Sequence, residues 1–313
     1  MLDVVSVVFK KCLGGEFMKF FSKKKSLLIA AAMGVSFIAA PLTPSFAAEK
    51  PAYTQEQLND QMVMAVAWMQ NSAEYRELCY QAYNVALDRV KAAVANHKKG
   101  DKPLAIVLDA DETVLDNSAF EAGLIGTDNA YNGKDWNEWC NAAEALAMPG
   151  AAEYLQAVDK LGVDIFYASN RSMAQVPGSM KNFKKIGFPQ ADAKHMIFKD
   201  TSSNKMGRFE QVMKDYDVVV FMGDNTGDLP INSYHKSQQE RNALVDQHKD
   251  EFGKRFIVFP NPSYGDWEPA LKQDDKFGSY WGLTAEQKSE LRKKSLRGWQ
   301  PKGNAKDGVK ATR

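Results

Sequence analysis

The chain has 313 residues, 44% of them hydrophobic, with 40 Lys and Arg against 39 Asp and Glu. A chain of this length and composition can bury one substantial core and has room for a smaller second lobe. Residues 1–47 carry six Lys against Asp3 and Glu16, so the remainder holds 34 basic and 37 acidic residues. This slightly acidic remainder gives no electrostatic basis for binding a nucleic acid polymer, and we exclude that class of partner.

The N-terminus has the parts of a secretory signal peptide. Lys19 and residues 23–25 form a positive segment, residues 26–40 are apolar, and residues 45–47 (S-F-A) offer the small residues of a cleavage site. We predict a signal peptide over residues 1–47, with cleavage after Ala48 as the alternative. A transmembrane anchor is the competing interpretation, although the apolar segment is short for a membrane span.

No Cys follows the apolar segment near the cleavage site, so a lipid-attachment residue is not evident. We therefore expect an exported, soluble protein, periplasmic or secreted, with no membrane anchor after cleavage. Residues 14–18 can be back-translated to a purine-rich ribosome-binding site and an ATG, which suggests Met18 as the true start. Cys79 and Cys140 could pair in an exported protein, but we favour two free thiols.

Residues 48–103 form a predicted N-terminal helical segment. Thr54 and Gln57 match a capping box, and apolar residues recur at helical intervals to residue 97. Residues 71–72 (N-S) interrupt this pattern, so we predict two consecutive helices.

From residue 104 onwards, predicted strands and helices alternate. The strands fall at residues 104–108, 163–168, 196–198, 218–222 and 256–259, and the helices near 149–160, 177–186, 205–214 and 233–252. This order predicts an α/β fold, a Rossmann-like parallel sheet covered by helices, with a smaller, mostly helical second lobe. The core spans residues 104–270 with a helical insertion at 114–149. Residues 271–313 hold a C-terminal helix, opened by a Thr284 capping box, and a basic tail.

Polar residues follow four of the predicted strands. They are Asp109 and Asp111, then Ser169 and Asn170, then Lys205, and finally Asp224 and Asp228. The carboxyl ends of parallel strands open on one edge, where α/β sheets bind ligands. Carboxylates for a hard cation, a hydroxyl and an amide for oxyanions, and one positive charge are the groups that phosphoryl transfer needs. His, Ser and Cys nucleophile patterns are lacking, which leaves a carboxylate as the candidate nucleophile.

The motifs around these residues resemble those of haloacid-dehalogenase-type phosphohydrolases. Within that superfamily they are most similar to class C bacterial acid phosphatases, the lipoprotein e(P4) family of 5′-nucleotidases. Residues 107–117 (VLDADETVLDN) match the first signature and residues 221–228 (FMGDNTGD) the fourth. Residues 167–171 and 202–208 resemble the second and third motifs more loosely. The best-known members are lipid-anchored, whereas this sequence has no evident attachment Cys.

The resemblance implies a division of labour among the carboxylates. Asp109 would attack phosphorus and form an aspartyl-phosphate, and Asp111 would act as general acid and then general base. The Asp109 carboxylate, the Asp111 backbone carbonyl and the Asp224 carboxylate would hold Mg²⁺, the implied cofactor. Asp228 would orient metal-bound water without touching the metal.

Further residues are implied for substrate binding. Ser169, Asn170 and Lys205 would bind the phosphoryl group; a strand-end cap and a solvated surface Lys are the alternatives for Ser169 and Lys205. Trp136 and Tyr264 occupy motifs in which the family places aromatic residues that stack on a base or a nicotinamide ring. For these two, packing in the core or a lid is the alternative.

The sequence therefore predicts an exported, Mg²⁺-dependent acid phosphatase or 5′-nucleotidase. Its partners would be small phosphate monoesters, including nucleoside monophosphates and nicotinamide mononucleotide, and the resemblance adds an expected homodimer. A phosphotransferase of the same fold and a ligand-binding protein on an inactive phosphatase scaffold remain alternatives. A pure binding protein has no use for a nucleophile beside an acid, so the Asp109 and Asp111 pair argues against the latter.

Overall fold

A computed structural model describes residues 53–272 and 277–299. The predicted signal peptide over residues 1–47, and the part of the predicted basic tail beyond residue 299, lie outside the described residues. Among the helices that the structure describes, none is both long and apolar enough to cross a membrane.

A parallel sheet lies at the centre of the described region. The described residues contain six strands: β1 (Leu104–Leu108), β2 (Leu115–Asp116), β3 (Leu146–Ala147), β4 (Asp164–Tyr167), β5 (Asp217–Gly223) and β6 (Phe256–Val258). Four of them pair in parallel in the order β4-β1-β5-β6, while β2 and β3 form a separate antiparallel pair. Strand β1 is central and fully buried, as its run of apolar residues predicts.

Helices cover both faces of this sheet. In chain order they are α1 (Gln55–Asn59), α2 (Val63–Asn71), α3 (Ala73–Asn96), α4 (Ser118–Leu124), α5 (Gly133–Ala142), α6 (Ala151–Lys160), α7 (Val176–Lys185), α8 (Met206–Asp215), α9 (Gln238–Gln247), α10 (Trp267–Ala270) and α11 (Ala285–Lys294). Thr54 and Thr284 begin α1 and α11 with the predicted capping boxes, and Ser72 interrupts the N-terminal helical segment by capping α3.

Alternate residues of β1 enter two hydrophobic cores. Ile106 and Leu108 pack with residues of α3, α6 and α7, whereas Ala105 and Val107 pack with residues of α8 on the other face. Successive side chains of a strand point to opposite faces, so a strand with helices on both sides must be apolar throughout. The predicted α/β class, a parallel sheet covered by helices, is confirmed.

One predicted strand, at residues 196–198, is wrong. This segment makes only isolated bridges, from Met196 to Tyr167 and from Lys199 to Ser172. The Tyr167 N–H donates to the His195 carbonyl at 2.8 Å, and the Ile197 N–H donates to the Tyr167 carbonyl at 3.0 Å. Two such bonds on one residue attach the segment to the edge of β4 without continuing into a ladder.

Residues 114–149, predicted as a helical insertion, contain α4, α5 and the short β2–β3 pair, which the sequence did not predict. This insertion is the smaller, mostly helical part beside the sheet. Cys79 and Cys140 are both buried free thiols, in agreement with the favoured interpretation.

Candidate active site

The strand register brings the predicted site residues to one edge of the sheet. Leu108, the last residue of β1, lies opposite Tyr167 of β4 and Met222 of β5. The chain segments that follow these three residues therefore leave the sheet at the same level. Asp109 continues the ladder by one residue, because its N–H donates to the Met222 carbonyl at 2.9 Å.

A tight turn follows Asp109. The Ala110 carbonyl accepts hydrogen bonds from the N–H groups of Val114 at 3.0 Å and Leu115 at 2.8 Å. Glu112 adopts the left-handed conformation, with φ of 50°, which is uncommon for a residue with a side chain. Backbone strain of this kind tends to occur at functional sites, where the surrounding structure holds it in place.

Three carboxylates and one ammonium group meet beside this turn. Asp109, Asp224 and Asp228 each present an oxygen within 4.8 Å of the others. The Lys205 Nζ contacts Asp109 Oδ1 at 2.5 Å and Asp228 Oδ1 at 2.7 Å, and Lys205 is almost fully buried. Lys205 is therefore a buried, paired cation rather than a solvated surface Lys, and the structure joins it to the predicted nucleophile.

The donor set of this cluster fits a hard divalent cation. Mg²⁺ prefers oxygen ligands from carboxylates, carbonyls and water. Burial raises the pKa of Asp224 well above its usual range, and the neighbouring Asp228 and Asp109 carboxylates raise it further. Carboxylates that repel one another in this way are stabilised as anions by a bound cation. The three aspartates are therefore suitable ligands for a metal ion.

Two further contacts fix the members of the cluster. Asn261 Nδ2 donates to Asp224 Oδ2 at 2.9 Å, and the Asn225 N–H donates to Asp228 Oδ2 at 2.8 Å. Gly223, the last residue of β5, leaves the space that the Asp228 side chain occupies, since any Cβ at this position would overlap with that side chain.

Asp111 faces a different set of partners. Arg171 reaches its Oδ1 through Nε at 2.9 Å and Nη2 at 2.8 Å, and Asn117 Nδ2 donates to the same oxygen at 2.9 Å. Arg171 is only 2% exposed. The carboxylate is thus held in one orientation next to Asp109, as a group that moves protons at a defined point must be.

Ser169 and Asn170 lie close to this part of the site. Ser169 is fully buried; its Oγ lies 3.4 Å from Asp111 Oδ2 and accepts the Arg171 N–H at 3.0 Å. Asn170 lines the cavity, with its Oδ1 accepting from Arg208 at 2.6 Å and its Nδ2 donating to the Ser203 carbonyl at 3.0 Å. Their predicted role in phosphate binding stays a prediction.

A cavity of about 730 Å³ opens over the carboxylates. Both predicted stacking residues line it, Trp136 from α5 and Tyr264 from the loop after β6. The Trp136 ring packs edge-on against Phe120 with centroids 5.1 Å apart, while the Tyr264 hydroxyl donates to Glu112 Oε2. Neither ring is buried in the core, so both remain candidates for contact with a substrate.

Sequence reasoning assigned no role to Arg171, Asn117, Asn261 or Glu112. Arg171 directly follows Ser169 and Asn170, so its position at a strand end beside two predicted phosphate-binding residues could have identified it. Asn261 lies in the segment that holds Tyr264, and this position could have identified it as a site residue in the same way. Glu112 offered no signal, because its contact with Tyr264 joins residues 152 positions apart.

The fold and this arrangement of carboxylates define a haloacid-dehalogenase-type protein. The chain belongs to the HAD superfamily, subfamily IIIB (acid phosphatase), whose family model matches residues 26–267. This is a family of phosphoric monoester hydrolases.

Individual relatives agree with this assignment. The class C acid phosphatase from Bacillus anthracis is 40% identical, with a TM-score of 0.72, over 78% of this chain and 99% of that chain. The same protein with tungstate bound is similar with a TM-score of 0.73. A class B acid phosphatase from Rahnella sp. (strain Y9602) is 28% identical over 147 residues, 44% of this chain. The stem 31 kDa glycoprotein of Glycine max is 26% identical over 165 residues, 50% of this chain. The matched regions span 58% of the soybean protein and 62% of the Rahnella protein.

Proposed function

We propose that this protein is an exported, Mg²⁺-dependent phosphomonoesterase that hydrolyses 5′-nucleotides and related phosphate monoesters through an aspartyl-phosphate. The observation that carries the proposal is the placement of two differently supported carboxylates side by side. Asp109 is joined to Lys205 and the metal-suited aspartates, whereas Asp111 is held by Arg171 and Asn117. We infer that Asp109 attacks and that Asp111 moves the proton.

In the first step, a carboxylate oxygen of Asp109 forms a bond to phosphorus while the bond from phosphorus to the ester oxygen breaks. Asp111 gives its proton to the departing alkoxide, and Lys205 offsets the negative charge on Asp109 and the phosphoryl group. In the second step, Asp111 takes a proton from water, whose oxygen attacks phosphorus and releases phosphate from Asp109. The net reaction is an ester and water giving an alcohol and phosphate.

Asp109, Asp224 and the Asp111 backbone carbonyl would hold Mg²⁺, and Asp228 would orient its water. When bound, Mg²⁺ supplies positive charge that stabilises the oxygens of the transferred phosphoryl group. The tungstate bound to the Bacillus anthracis relative supports an oxyanion site in this fold, because tungstate resembles phosphate in charge and shape.

Trp136 and Tyr264 support a preference for esters whose organic group carries a ring. Both line the cavity that contains Asp109, and a π-face stacks on any nucleobase or on a nicotinamide ring. Export, a soluble mature form and a homodimer remain part of the proposal on the strength of the signal-peptide pattern and the family resemblance.

The deciding experiment is turnover of 4-nitrophenyl phosphate and of AMP, with and without a chelator, by the wild type and Asp109→Asn. We expect Asp109→Asn to lose activity by about 10³-fold or more, as variants of other catalytic nucleophiles do. A chelator should remove the activity of the wild type, and added Mg²⁺ should restore it. The exposed Asp246→Asn on α9 is the matched control. Retained activity in Asp109→Asn would refute the mechanism. Phosphate that appears on an added alcohol rather than free in solution would indicate the phosphotransferase instead.

A further inference from the structure

Glu121 is a buried carboxyl group in the cavity wall that the mechanism does not use. It lies on α4, where Ser118, Glu121 and Leu124 form the buried face of the helix. Only 8% of Glu121 is exposed, and the residue lines the same cavity as Asp109 and Asp111. None of the four sequence motifs includes it.

No partner within the described part of the chain satisfies this carboxyl group. Burial alone raises the pKa of Glu121 to about 7, with no hydrogen bond or cation acting on it. Of the polar residues of α1 that line the same cavity, Gln55 donates through Nε2 to Asn59 Oδ1 at 2.7 Å, and Asn59 is itself occupied. Its Nδ2 donates to the carbonyls of Leu124, Thr127 and Asn129 at 3.0, 2.9 and 2.9 Å.

The surroundings make a carboxyl group costly here. Leu58, Met62 and Leu124 line the same cavity as Glu121, and Phe120, the residue before Glu121, packs edge-on against Trp136. A buried polar group without a hydrogen bond costs free energy that an apolar residue of similar size would not. Residues that break the packing rules in this way are expected mainly where function requires them.

We propose that Glu121 determines substrate specificity by accepting a hydrogen bond from an N–H or O–H group on the organic part of the phosphate ester. This inference rests on the proposed function and deepens it. An ionised carboxylate only accepts hydrogen bonds, and a neutral carboxyl group still keeps an accepting oxygen, so in both states Glu121 can bind a donor on the substrate. Phosphate esters without such a donor leave the group unsatisfied and are disfavoured.

Two parts of a nucleoside monophosphate carry suitable donors, the ribose hydroxyls and the exocyclic amine of the base. Comparing AMP with 2′,3′-dideoxy-AMP removes the hydroxyls, and comparing it with purine riboside 5′-monophosphate removes the amine. Phenyl phosphate has neither donor and serves as the reference ester.

The test is kcat/KM for each ester in the wild type, Glu121→Leu and Glu121→Gln. For Glu121→Leu we expect the ratio of AMP to phenyl phosphate to fall by about tenfold or more, the loss of one hydrogen bond to a carboxyl group. Glu121→Gln keeps an acceptor and should retain more of the ratio. The analogue whose kcat/KM responds least to Glu121→Leu identifies the donor, because it already lacks the group that Glu121 binds.

Glu138→Leu on α5 is the matched control, an exposed carboxylate of the same insertion that does not line the cavity. Its ratio should equal that of the wild type. If the ratio of kcat/KM for AMP to that for phenyl phosphate in Glu121→Leu equals the wild-type ratio, including through equal losses on both esters, the inference is overturned. A wild type that hydrolyses neither ester would instead be a failure of the proposed function. Melting temperatures of all variants separate loss of folding from loss of specificity.

Discussion

The guanidinium of Arg171 contacts the carboxylate of Asp111 mainly through Oδ1, with Nε at 2.9 Å and Nη2 at 2.8 Å, and Nε also lies 3.3 Å from Oδ2. The remaining guanidinium nitrogen donates to Ser179 Oγ at 2.9 Å, so Arg171 is itself fixed by α7. The carboxylate of Asp111, to which we assign proton transfer, is therefore positioned by a buried cation.

Arg171→Lys should weaken proton transfer to the leaving group. A Lys cannot reproduce the two-point contact with Asp111, and general acid–base groups contribute about 10²-fold or more to rate. We expect kcat to fall by up to about 10²-fold for AMP, whose alkoxide needs a proton. The fall should be smaller for 4-nitrophenyl phosphate, whose leaving group is stable as an anion. Equal losses on both esters would contradict a positioning role; the exposed Lys181→Arg on α7 is the control.

Mg²⁺ should stabilise the protein through the carboxylates of Asp109 and Asp224. A ligand that binds only the folded state at about 100 times its Kd adds roughly 2.7 kcal/mol to the free energy of unfolding. We expect the melting temperature to rise with Mg²⁺ concentration, and the rise to need more metal in Asp224→Asn. Asp246→Asn should behave as the wild type. A melting temperature indifferent to Mg²⁺ in the wild type would count against the metal site.

Gly223→Ala should disturb the site without changing a charged group. A Cβ at Gly223 would overlap with the Asp228 side chain and displace it from Lys205. Since a small misplacement of catalytic groups can cost about 10²-fold, we expect a loss of that order in kcat/KM. Gly207→Ala on α8 is the matched control, because no atom lies within 4 Å of its added Cβ. Similar rates in the two variants would show that Asp228 tolerates the shift.

Glu121→Leu should stabilise the protein in a pH-dependent way. The pKa of Glu121 is about 7 in the folded state and about 4.3 in an unfolded chain. The folded state thus holds the proton more tightly, so the wild type loses stability as the pH rises through this interval. The melting temperature of Glu121→Leu minus that of the wild type should grow from pH 4.5 to pH 7.5 and then level off. A difference that does not vary with pH would mean that Glu121 ionises normally.

The sequence determined the strand-and-helix order and the residues at the strand ends. The apolar run of β1, the aspartates that follow it and the Gly223-Asp224 pair are local patterns, and local patterns follow backbone geometry and periodicity. The predicted third strand at residues 196–198 failed for the complementary reason. A short apolar run does not reveal whether its backbone meets a neighbour along its length or at two points only.

Only the tertiary structure decided which side chains meet. Arg171 and Asp111 are 60 positions apart, Lys205 and Asp109 96, and Tyr264 and Glu112 152. Such contacts depend on how helices pack over the sheet, which no short segment encodes. The same packing buried Glu121 without a partner among the described residues, which the sequence does not reveal because Glu is an ordinary helix residue. The residues at the strand ends determine the chemistry of the site, and the packing of helices over the sheet determines how those side chains are positioned.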